Sequence, residues 1–110
     1  MEKDLKTLIQ VTTTVNDEHR SREIAKELIE ARLVACVQVF PVQSLYTWEG
    51  DLCNEKEYLL QMKTLESNFD AIDRWMQKNH PYETPELIAT PINKVSEGYL
   101  SWVIAQCIPC

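Results

Sequence analysis

Two long strand-like runs face each other across a single turn, and they constrain this chain more than any other feature. "VACVQVFPVQSLYTW", Val34 to Trp48, is apolar from its start to Phe40 except at Gln38, the pattern of a strand covered on both faces. "NEKEYLLQMKT", Asn54 to Thr64, alternates: Tyr58, Leu60 and Met62 share one side, and Glu57, Leu59, Gln61 and Lys63 the other. Gly50-Asp51 is the turn signal between them, so the runs read as a β-hairpin. Pro41 has no N–H to give to a ladder and predicts a bulge or an edge position. Arms this long exceed the usual strand of about 5–6 residues and overhang any two-helix cover. The overhang carries Leu45, Tyr46, Trp48, Tyr58 and Leu60, apolar surface that a second subunit would bury. The hairpin therefore predicts a homo-oligomer.

The flanking sequence supplies the rest of the fold. "KTLIQVTTTV", Lys6 to Val15, is rich in β-branched residues and predicts a strand. Asn16 or Asp17 caps a helix that ends near Leu33, with Ile24, Leu28 and Ile29 at helical spacing and Glu23, Lys26, Glu27 and Glu30 facing water. "SNFDAIDRWMQKNH" predicts a second helix, with Ser67 and Asp70 approximating a capping box and Phe69, Ile72 and Met76 forming its apolar stripe. "ELIATPI" reads as a last strand and "SEGYLSWVIAQC" as a short terminal helix. The order β-α-β-β-α-β plus a helix implies an α+β, ferredoxin-like sandwich, with residues 1–110 as one domain.

Composition excludes several function classes. The formal net charge is −6, which speaks against a nucleic-acid module because phosphate binding needs a basic face. No apolar stretch approaches the roughly 18 residues of a membrane span, and the charged "MEKDLKTLIQ" does not read as a signal peptide, so a cytoplasmic protein is expected. The four cysteines are then expected to be thiols. Cys36 reads as a small buried apolar group. Cys107 and Cys110 form a C-x-x-C at the tail, without the second ligand pair that a zinc site needs. Glu83 and Glu86 flank Pro85, while Glu55 and Glu57 share a hairpin arm. No nucleophile–base order, glycine-rich phosphate loop or H-E-x-x-H appears, so no enzyme is predicted and no cofactor is required.

"KNHPYETPELIATP", Lys78 to Pro91, allows two readings. Pro81 stops the preceding helix, and Pro85 and Pro91 frame the last strand. His80 at the helix end reads as a group that bonds free carbonyls, or as a metal ligand if further donors converge on it.

Three blocks then coincide with a known family. "RLVACVQVFPVQSLYTWEG", "EYLLQMKT" and "HPYETPELIATPI" followed by "GYLSW" resemble the CutA divalent-cation tolerance proteins, with S-x-Y-x-W-x-G and H-P-Y-x-x-P-E as the most specific words. The resemblance implies a compact homotrimer whose hairpins wrap around neighbouring subunits, an architecture similar to the PII signalling proteins, and a role in tolerance to copper or other divalent cations. The family's bacterial copper pattern has a cysteine where this chain has Thr13 and two adjacent histidines where it has Asn79 and His80. Copper prefers thiolate and imidazole. Two functions follow as expectations: a non-enzymatic cytoplasmic trimer binding copper or related ions near His80, or a PII-like signalling or small-ligand module whose inter-subunit cleft is lined by Tyr46, Trp48, Glu57, Lys63, Tyr82 and Trp102.

Overall fold

The computed structural model describes residues 7–107. Four strands form one antiparallel sheet in the order β2-β3-β1-β4: β1 is Leu8–Val15, β2 Cys36–Trp48, β3 Asp51–Leu65 and β4 Ile88–Pro91. Helices α1 (Glu18–Glu30), α2 (Phe69–Asn79) and α3 (Glu97–Gln106) complete the ferredoxin-like α+β arrangement, with a 3-10 turn at Glu66–Asn68 before α2.

Strand β1 lies at the centre because both of its faces can be buried. Ile9, Val11 and Val15 share one side and pack with Leu60 and Met62 of β3 beneath Ile24 and Leu28 of α1 and Ile72 and Met76 of α2. At the end of the sheet a smaller cluster joins Leu8 and Leu65, which are register partners, to Ala35, Val103 of α3 and Cys107. Register and alternation place Phe40 and Ile88, both exposed, on the side opposite α1 and α2.

Local chemistry sets the element ends. Asp17 caps α1, accepting from the amides of His19 (2.9 Å) and Arg20 (3.4 Å). The helix stops at Glu30, three residues before the expected Leu33, because Arg32 takes a left-handed φ of 60° and the Leu33 amide turns back to the Leu28 carbonyl. The Arg32 guanidinium then donates to the carbonyls of Ala105 (2.8 Å) and Gln106 (3.0 Å), satisfying the end of α3. Ser67 does not cap α2. It lies within the 3-10 turn, and the residue at the cap, Asn68, is buried and donates instead to Leu33 O and Thr64 Oγ1.

The hairpin turns one residue earlier than the Gly50-Asp51 signal suggests. Glu49 (φ 51°) and Gly50 (φ 86°) form a two-residue turn with both central residues left-handed, which aligns Trp48 with Asp51 and continues in register to Cys36 and Lys63. This produces an elongated molecule, 45 × 25 × 23 Å. Leu60 is not part of the overhang: it is fully buried over β1. Toward the tip, the exposed apolar residues of the hairpin are Leu45 (62% exposed), Tyr46, Trp48 (47%) and Leu52 (76%).

Candidate functional site

Pro81 prevents α2 from continuing, so His80 becomes extended (φ −74°, ψ 137°) while its amide still bonds the Met76 carbonyl at 2.9 Å. The imidazole turns inward rather than toward free helix carbonyls. Nε2 lies 2.9 Å from the Thr14 carbonyl, and Nδ1 accepts the Tyr82 amide at 3.0 Å. Only the neutral ring protonated on Nε2 satisfies both contacts. Burial holds the His80 pKa below its ordinary value; the field of Arg20 adds to this, while the Thr14 hydrogen bond and Glu57 oppose it.

The chain of contacts continues outward. The Tyr82 ring meets the His80 ring edge-on at 4.9 Å, and the Tyr82 hydroxyl donates to Glu57 Oε2 at 2.6 Å. Glu57 sits on β3 opposite Val42 and is only 5% exposed. Two residues along the same strand, Glu55 accepts from the Tyr46 hydroxyl. That hydrogen bond, more than the small burial of the ring, pushes the Tyr46 pKa up to about 12; burial pushes the Tyr82 phenol up as well.

These groups open into a cavity of about 650 Å³. Tyr46, Trp48 and Tyr82 supply its aromatic surface, and Glu55, Glu57, Glu83 and Glu86 its carboxylates. No lysine, arginine or histidine is among its lining residues. Of the six residues expected in the cleft, Tyr46, Trp48, Glu57 and Tyr82 come together within one chain. Lys63 lies farther along β3 and donates to Gln38 (3.2 Å), and Trp102 lies on α3 beside Tyr99, with ring centroids 5.7 Å apart. Glu55, Glu83 and Glu86 were visible as carboxylates, but only Glu55 carried a positional signal, being one pleat period from Glu57.

The residues at the copper-pattern positions do not form a copper donor set as they stand. Both His80 nitrogens are engaged, Thr13 Oγ1 is buried without a hydrogen-bond partner among the described residues, and the Asn79 amide donates to the Trp75 carbonyl at 2.9 Å. Among the described residues, no three or more His, Cys, Asp and Glu side chains gather as a metal site. Cys36 is half-buried rather than buried, and Cys107 is buried with its pKa raised. The Cys107/Cys110 pair falls partly outside the described residues.

Residues 9–106 match the family model described as CutA1 divalent ion tolerance protein. The "Divalent-cation tolerance protein CutA" of Thermus thermophilus is 39% identical over 84% of this chain and 91% of its own length. The "Protein CutA, chloroplastic" of Arabidopsis thaliana is 36% identical over 94% of this chain, which spans 58% of that longer relative. The crystal structure of CutA1 from Oryza sativa superposes with a TM-score of 0.92 at 35% identity, over 94% of this chain and 96% of that one.

Proposed function

Because the chain belongs to the CutA1 divalent ion tolerance family, we propose that it acts as a non-enzymatic cytoplasmic homotrimer in tolerance to copper or other divalent cations. The observation that carries the assembly is the hairpin tip. Leu45, Trp48 and Leu52 expose apolar surface on an arm that the chain's own helices do not cover, and neighbouring subunits would bury it. Size exclusion with light scattering should give the mass of three chains; the mass of one chain would remove the trimer. The His80 nitrogens face backbone groups rather than a hydroxyl or thiol to activate, which speaks against His80 as a general base.

Copper binding at His80 requires one ring nitrogen to leave its backbone partner, either Nδ1 the Tyr82 amide or Nε2, on losing its proton, the Thr14 carbonyl. Calorimetric titration with Cu(II), repeated on His80→Ala, measures this directly, and equal heats in both proteins remove His80 as a ligand. The second reading, a PII-like small-ligand or signalling trimer, is favoured by the cavity beside Tyr82. Its carboxylates disfavour nucleotides and other anions, whose phosphates need basic or amide donors. A thermal-shift screen of nucleotides and small anions should therefore give no stabilisation, and a rise in Tm with any of them would show that the acidic lining does not govern the ligand.

A further inference from the structure

We infer that His80 and Tyr82 form a brace that fastens the loop after α2 to β1 and β3, and that this brace, rather than a copper ion, engages the ring at the family's copper position. The inference rests on the family reading and deepens it: tolerance to divalent cations does not run through copper held at His80.

Three observations support it. First, the chain's own backbone takes both ring nitrogens. Nε2 donates to the Thr14 carbonyl of β1 at 2.9 Å, and Nδ1 accepts the Tyr82 amide at 3.0 Å. A metal needs a free lone pair on the imidazole. In this tautomer only Nδ1 has one, and the amide occupies it. Second, the other two pattern positions are spent on structure. Thr13 is fully buried on the helix-covered side of β1 with Val11 and Val15, and the Asn79 amide donates to the Trp75 carbonyl. Neither offers the thiolate or imidazole that copper prefers. Third, the contacts connect two strands. The Tyr82 ring meets the His80 ring edge-on, and its hydroxyl donates to Glu57 Oε2 on β3 at 2.6 Å. The loop thus grips β1 through the imidazole and β3 through the phenol, with the fixed φ of Pro81 between them. His80 and Glu57 are already buried within one chain, so further burial by a neighbouring subunit leaves these contacts in place.

Two conservative variants test the brace, because each keeps one of its two backbone bonds. His80→Asn keeps an acceptor where Nδ1 stands, and His80→Gln keeps a donor where Nε2 stands. Each should retain about half of the Tm that His80→Ala loses. Cu(II) calorimetry on the native protein and the Asn and Gln variants should give equal heats, since the exposed imidazole of His19 is common to all three. Light scattering on the same samples reads the assembly separately, so a lost trimer is not mistaken for a lost brace. Both variants fold even where His80→Ala does not, if the brace is real. Amide variants no more stable than His80→Ala overturn the inference. A Cu(II) heat that falls in both amide variants overturns it in favour of His80 as a metal ligand.

Discussion

Replacing His80 by alanine should destabilise the protein, and its cost follows from two hydrogen bonds. The ring joins the Thr14 carbonyl of β1 to the Tyr82 amide, and removing it leaves both without their partner beside the core. A buried polar group left unsatisfied costs about 1–3 kcal/mol. Two such groups, partly rescued by water, give about 3 kcal/mol, or roughly 12–18 °C in Tm for a domain of this size. Acid should act on the same contact. Because the folded pKa lies below the ordinary 6.5, the unfolded chain takes up the proton first as pH falls. His80's contribution is whole above pH 6.5 and declines below it, with a slope no steeper than about 1.4 kcal/mol per pH unit. Urea unfolding of the native protein and His80→Ala at equal protomer concentration, from pH 7.5 to 5.5, separates this effect from exposed His19, which both proteins share. Two results refute the reasoning: a variant within about 0.5 kcal/mol of the native protein at pH 7.5, or identical acid slopes.

Thr13→Val should stabilise the protein by about 1 kcal/mol, because Thr13 Oγ1 is fully buried without a hydrogen-bond partner among the described residues; a loss of stability in urea would refute this. Glu49→Asn should gain about 0.5 kcal/mol at its left-handed position, whereas Gly50→Ala should cost about 1 kcal/mol from conformation alone, since nothing lies within 4 Å of the added Cβ. Chemical denaturation of the two variants should move in opposite directions.

The order of elements was legible because each carries its own periodicity: β-branched residues in β1, Ile24 and Leu28 in α1, Ile72 and Met76 in α2. The boundaries were less legible because distant partners decide them. Ser67 satisfies a local capping rule, yet Asn68 takes that end of the helix through Leu33 and Thr64. Leu60 alternates correctly with Tyr58, but its depth depends on its place opposite Thr13. The site was legible where specific words marked it, at Tyr46, Trp48 and Tyr82. The use of both His80 nitrogens was not legible, because one acceptor lies 66 residues away on the backbone of β1. Backbone carbonyls leave no trace in a sequence.

The Arg32 clasp affects how the protein comes apart. Its guanidinium holds carbonyls 73 and 74 residues farther along the chain, at the end of a helix that packs on the sheet through few buried side chains, Val103 among them. Terminal helices commonly fray alone, at a small fraction of the global unfolding free energy. Here the last turn of α3 cannot open without releasing the residue that reverses the chain after α1. The clasp therefore couples fraying of α3 to the turn that follows α1.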